Sequence, residues 1–364
     1  MTCYRTHICC TANREPEVEA LLERVVPAIG ADVLALGIPE LAGVCLGGGY
    51  GRGEGGVCAG PDGVPRLFND LDFFVFSSGA GRRRKREIDR AVEPVARRWT
   101  RALGIDVDFG PVKNTGDLGR VSHTLMFQEL KHGYWQVCGE ADVLAALPAL
   151  RESELPPLEG ARLLLNRGMG LLMAAERVRD GAEDAGFVLR NLNKAVLGGA
   201  EAQLICAHRY RWRARERLEA FGALAAERGL APERVQEYAA ALEFRRTPHV
   251  RPPDDWRAAW ERARGFWCES VAGAAGCAAD AETETVLRQL HAGCALHGRK
   301  GIRNLLRWVV KTHSPGSVCD WLDAPELRML RRIYRLLAAA EPDRNGPGVP
   351  EERALLYRLW RVIS

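Results

Sequence analysis

Two acidic pairs carry the chemistry in this chain. Asp70 and Asp72 open the apolar run DLDFFVF (Asp70–Phe76), and Asp106 and Asp108 repeat the spacing in IDVDFGPV (Ile105–Val112). In a strand, residues i and i+2 point to one face, about 6.6 Å apart, so each pair projects two carboxylates together. Like charges so placed repel, and they are tolerated where a cation lies between them or where water reaches both. If the two strands are neighbours, three or four carboxylates converge, and an oxygen-rich pocket of that charge suits Mg²⁺. A lone D-x-D is most often a solvated strand end. Here a second pair and a glycine-rich turn accompany it.

That turn is CLGGGYGRGEGG (Cys45–Gly56), with seven glycines in twelve residues. Glycine permits backbone angles and close approaches that other residues forbid, so the run either grips a ligand with bare backbone or only turns the chain. Arg52 and Glu54 sit inside it, and an ion pair between them is one reading of both. Further on, Lys194 stands in a mostly apolar or small stretch, NLNKAVLGGAEAQLICAHRY. A buried lysine without a partner is costly, so Lys194 faces either solvent or an anion. Asn166 and Arg167, in LLLNRGMGLL, are weaker candidates of the same kind.

The elements that must hold these residues divide the chain at about residue 150. Before it, helical and strand patterns alternate. Val18, Leu21, Leu22, Val25 and Val26 recur at helical spacing, LAGVCLGG reads as a buried strand running into the glycines, and residues 82–103 read as a helix kinked at Pro94. Between the glycines and Asp70, Pro61, Asp62 and Gly63 predict a hairpin-like excursion. After residue 150, eight segments show three- and four-residue apolar spacing, which predicts a helical bundle. The expected fold is thus an α/β domain over residues 1–150, a small mixed sheet with flanking helices, followed by an all-α domain over 151–364.

Composition narrows the function classes. A 364-residue chain with 47% apolar residues can bury two cores. With 51 Lys+Arg against 47 Asp+Glu, the net charge of +4 is too small to predict nucleic-acid binding by itself. The eleven cysteines are odd in number, scattered from Cys3 to Cys319 and never in a C-x-x-C pair, which argues against a disulfide framework and against zinc. Adjacent Cys9 and Cys10 read as small semi-apolar side chains. No run approaches about 18 apolar residues, and the N-terminal segment lacks a long apolar core. A soluble, reducing, cytoplasmic protein without a membrane partner is expected.

Taken together, GGYGRGE (Gly48–Glu54), NDLDFFVF and DVDFG resemble the nucleotidyltransferase superfamily that shares its fold with DNA polymerase beta. The glycine motif is most similar to that of bacterial enzymes that uridylylate or adenylylate nitrogen-regulation proteins, and less to that of aminoglycoside nucleotidyltransferases. The likeness covers roughly residues 40–112. One departure is that 21 positions separate Gly49 from Asp70, more than the family's usual gap, with the excess in the hairpin-like insert.

The resemblance implies transfer of a nucleoside monophosphate from an NTP to a hydroxyl, with pyrophosphate released. It implies two Mg²⁺ ions as cofactors, in the manner of two-metal phosphoryl chemistry. Asp70 and Asp72 would bridge both. A third carboxylate would hold one ion and take the acceptor's proton. Asp108 is preferred to Asp106 for this role, because Phe109-Gly110-Pro111 should end the strand and leave Asp108 near its edge. Gly48 and Gly49 would lay backbone N–H groups on the triphosphate, and a helix starting near Gly51 would aim its positive end there. Arg52, whose planar fork matches phosphate oxygens, and Lys194 would be the basic partners of the NTP.

The acceptor, a protein or a small molecule, is not specified. Two basic runs, Arg82–Arg86 and the set Arg299, Lys300, Arg303, Arg307 and Lys311, raise the alternative of an RNA-modifying transferase. Both are short and lack interleaved aromatics, so a solvated face or an acidic protein partner is the preferred reading. A catalytically inactive nucleotide-binding module is the remaining alternative, against which the intact acidic set argues.

Overall fold

The computed structural model describes residues 4–60, 62–179, 184–294, 325–339 and 350–363. The chain divides into two compact units: residues 1–151 together with 243–249, and residues 152–242 together with 250–364.

The first unit is built on a mixed five-stranded sheet. Its strands are β1 (Tyr4–Arg5), β2 (Leu41–Leu46), β5 (Leu71–Ser77), β6 (Val107–Asn114) and β7 (Trp135–Gly139), in the order β1-β7-β2-β5-β6. All neighbours are antiparallel except β5 and β6, which run parallel. A parallel pair needs a crossover, and α3 (Arg82–Leu103) supplies it, with Pro94 inside the helix. The expected excursion is a separate hairpin of β3 (Val57–Ala59) and β4 (Pro65–Leu67).

Strand alternation sorts the side chains onto two faces. Val44, Leu46, Leu71, Phe73, Val75 and Val107 join Val18, Leu22, Val26 and Ile29 of α1 (Pro16–Leu34) and Ile88, Val92 and Val95 of α3 in one core. Cys45 and Phe76 join Leu118 of α4 (Leu118–Val121), Phe127 and Leu130 of α5 (Leu125–His132), and Leu144 and Leu147 in another, against which Phe74 packs. Because residues at i and i+2 share a face, Asp72 falls on the Phe74–Phe76 side, away from α1 and α3.

Two details correct the sequence reading. Phe109-Gly110-Pro111 does not end the third strand, since β6 continues to Asn114. Pro111 is accommodated because β6 is the sheet edge and its ladder with β5 shifts register between Phe74 and Phe76; an edge or a bulge is where a residue lacking an N–H is tolerated. The helix expected from about Gly51 is also absent. In its place a single turn, α2 (Gly48–Gly51), gives way to Gly53 at φ +71°.

The second unit is helical among the described residues. It contains α6 (Pro157–Arg179), α7 (Ala185–Cys206), α8 (Ala214–Glu227), most of α9 (Pro232–Arg246), α10 (Trp256–Ala274), α11 (Thr283–Cys294) and helices Pro325–Ala338 and Pro350–Ile363. Close approaches at Gly168, against Trp267, and at Gly199, against Ser270 and Phe266, let α6 and α7 pack on α10. The buried indoles of Trp260 and Trp267 donate to the carbonyls of Leu171 (2.9 Å) and Leu164 (3.1 Å), which satisfies their one polar atom. Helix α8 is missing from the sequence reading. The basic set at 299–311 lies outside the described residues.

Candidate active site

The parallel ladder makes the site. Asp72 on β5 stands directly opposite Asp108 on β6, with Leu71 opposite Val107 and Phe73 opposite Phe109. The stacked rings of Phe73 and Phe109, 5.2 Å between centroids, lock that register on the opposite face. Asp70 immediately precedes β5. One carboxylate oxygen from each of Asp70, Asp72 and Asp108 lies within 4.8 Å of the others. Asp70 and Asp72 are half-buried and Asp108 is exposed.

Asp106 stays outside this group. It precedes β6 and is exposed, and its carbonyl accepts a 2.9 Å bond from the Leu71 amide. Its charge still acts on the site. Although much of Asp108 is open to solvent, partial desolvation of its carboxyl raises its pKa, and the charges of Asp106 and Asp70 raise it further. Carboxylates crowded in this way are relieved by an opposite charge placed among them.

Gly48 closes the other side. Its φ is +62°, and a Cβ there would overlap Asp72 Oδ2 and sit 3.1 Å from Asp72 Cγ. Glycine is thus required twice, for the left-handed backbone and for the approach of the carboxylate. Gly47 ties the turn to the strand, its amide donating to the Asp72 carbonyl at 2.8 Å. The turn then closes on bonds donated by the amides of Gly51, Arg52, Gly53 and Glu54. Gly49 is less constrained, since a Cβ on it would meet the nearest atom at 3.6 Å.

Tyr50 fastens the glycine turn to the chain entering β5. Buried, it donates from its hydroxyl to the Gly56 carbonyl (2.8 Å) and accepts from the Phe68 amide (3.1 Å). Asn69 adds a bond from the Gly56 amide to its Oδ1 at 2.8 Å. Burial raises the Tyr50 pKa, so the hydroxyl stays protonated as a donor.

The basic candidates separate. Arg52 pairs with Glu54 at 3.5 Å and with Glu129 of α5 at 3.1 Å, and Glu54 also binds Arg245 at 2.9 Å. The ion pair between Arg52 and Glu54 is thus present, and each residue has a further partner of opposite charge. Lys194 is half-buried on α7 in the second unit, and Asn166 there accepts from the Trp360 indole at 2.9 Å. In the run Arg82–Arg86, Arg83 pairs with Glu87, Arg84 with Glu40 and Glu87, and Lys85 with Asp117, so acids offset much of its charge. Cys10 is buried and its thiol pKa is pushed up to about 12, which disfavours a redox or metal role.

Glu129, Tyr50, Asn69 and Arg245 are absent from the sequence reading as site residues. Glu129 and Arg245 reach the glycine turn only through contacts distant in sequence, which no local spacing encodes. Comparison of the chain with protein-family models, with curated proteins and with solved structures gives no match. No described helix is long and apolar enough to cross a membrane.

Proposed function

We propose that this chain is a divalent-cation-dependent nucleotidyltransferase that moves a nucleoside monophosphate from an NTP to a hydroxyl group. The observation that carries the reading is the meeting of Asp70, Asp72 and Asp108 within 4.8 Å beside the left-handed Gly48 turn. The donor set is all oxygen and carries three formal negative charges, which matches a hard cation such as Mg²⁺ and not a thiolate or imidazole metal. A cation bound there would neutralise phosphoryl oxygens and favour the alkoxide form of the attacking group.

The chain's own residues divide the remaining work. Asp70, Asp72 and Asp108 would hold the cation beside the Gly48 turn. Asp108 would also receive the acceptor hydroxyl's proton on a carboxylate oxygen. The acceptor oxygen bonds to the α-phosphorus, the bond to the bridging oxygen breaks, and pyrophosphate leaves with that electron pair. The amides of Gly48 and Gly49 are assigned to the triphosphate. Lys194 is assigned to its outer phosphates on the family resemblance alone, whereas Arg52 is occupied by Glu54 and Glu129.

The test is transfer of α-labelled NTP by the full chain with Mg²⁺, in a lysate that contains candidate acceptors. The reading predicts a labelled acceptor and released pyrophosphate, both lost with Asp72→Asn. Nucleotide binding without any pyrophosphate release would identify an inactive nucleotide-binding module instead. Lys194→Ala should raise KM for the NTP and leave kcat little changed.

A further inference from the structure

Residues 243–249, which take in the C-terminal end of α9 and the loop beyond it, belong to the first unit, although the rest of that helix does not. Their contacts fall on the two segments that flank the acidic site. The Arg245 guanidinium donates to Glu54 Oε2 at 2.9 Å, and the same oxygen lies 3.5 Å from Arg52 Nε. Arg52 in turn reaches Glu129 of α5 at 3.1 Å. The four side chains are 13–22% exposed, partly withdrawn from solvent. Alternating charges arranged as a network hold geometry better than isolated surface pairs do.

The backbone joins in. A Cβ on Gly56 would overlap the Arg245 carbonyl oxygen and lie 2.6 Å from Asn69 Oδ1, so Arg245 and Asn69 both press on the end of the glycine turn. Phe244 meets Phe68 edge-to-face, 5.9 Å between centroids, two residues ahead of Asp70. Arg246 and Thr247 bond to Asn13, whose neighbour Ala12 donates to the Gly55 carbonyl.

We infer that segment 243–249 is a clasp for the acidic site, in which Arg245, acting through Glu54, is a positioning residue that fixes the glycine turn against Asp72 while Phe244 fixes the approach to Asp70. The inference rests on the proposed cation role of that site for its functional consequence, and on the contacts alone for the clasp itself. Removing the Arg245 charge leaves Glu54 with Arg52 and loosens one end of the turn. The sheet, whose ladder does not involve Arg245, is unaffected.

The experiment compares the full chain with Arg245→Gln and Arg245→Lys by hydrogen exchange resolved to short peptides, and by Mn²⁺ affinity. Arg245→Gln should raise exchange several-fold in residues 47–56 and 68–70 and leave β2 and β7 unchanged. Arg245→Lys, which keeps the charge, should restore most of the protection. Mn²⁺ affinity should fall about 10–100-fold in the Gln variant, as for loss of a group that orients metal ligands. Unchanged exchange at 47–56, or a uniform rise across the sheet, overturns the clasp. If the wild-type chain binds no Mn²⁺, the cation reading fails and the exchange pattern alone decides the clasp. If Mn²⁺ binds equally to wild type and Gln variant, the positioning role is overturned.

Discussion

Asp72 and Asp108 face each other across the one parallel pair of the sheet, on the side opposite the Phe73–Phe109 stack. Two carboxylates in direct register on adjacent strands destabilise the sheet unless something offsets their charge. Solvent at the exposed Asp108 offsets part of that repulsion, and a cation between the two would offset more. Asp72→Asn and Asp108→Asn should each lower nucleotidyl transfer by more than about 100-fold, beyond the loss typical of an orienting neighbour of a metal ligand. Far-ultraviolet circular dichroism should stay unchanged.

The raised pKa of Asp108 gives a pH dependence of defined sign. A carboxyl that binds its proton more tightly when folded makes the cation-free protein lose stability as pH rises. The window runs from the ordinary aspartate value of about 3.9 up to the raised one. Thermal denaturation across this range should show that decline, and Asp108→Asn should abolish it and raise Tm above the window. Added Mg²⁺ should reverse the slope in the wild type, because the cation competes with the proton.

Gly48 and Gly49 should part company on substitution. Gly48→Ala imposes a left-handed backbone on an L-residue, about 1–2 kcal/mol, and drives a methyl group into Asp72 Oδ2. It should lower Tm and weaken cation binding. Gly49→Ala adds a methyl at ordinary contact distance, 3.6 Å from the nearest atom, and should leave both unchanged. Calorimetry on the two variants checks the contrast.

Tyr50→Phe removes one hydroxyl and almost no volume. The buried Gly56 carbonyl and the Phe68 amide each lose a partner, which should cost about 1–3 kcal/mol. Urea denaturation should show a lower midpoint with the same slope.

Much of this site is legible in the sequence because it is local. The spacing of Asp70 and Asp72 at the head of an apolar run puts both carboxylates in the cluster, whereas of the second pair only Asp108 joins them. Helix α3 is legible from its amphipathic pattern, and the β3–β4 hairpin from its turn formers. What escapes is set by tertiary context. Strand β7 interleaves Gln136 and ends on Gly139, yet it is an interior strand, between β1 and β2. Pro111 reads as a stop signal but sits at an edge, where its missing N–H costs nothing. The pairing of Arg52 with Glu129 and, through Glu54, with Arg245 is brought about only by folding. In α8 the fully buried Arg217 interrupts the apolar face, and its charge is met by Glu201 at 3.0 Å and by the carbonyls of Arg211 and Trp212.

The central claim is that three aspartates on neighbouring strands hold one divalent cation beside Gly48. Electron paramagnetic resonance titration of the purified full chain with Mn²⁺ measures this directly. Saturable binding that competes with Mg²⁺ and disappears in both Asp72→Asn and Asp108→Asn is the predicted result. Absence of saturable binding, or binding that survives both substitutions, would contradict it.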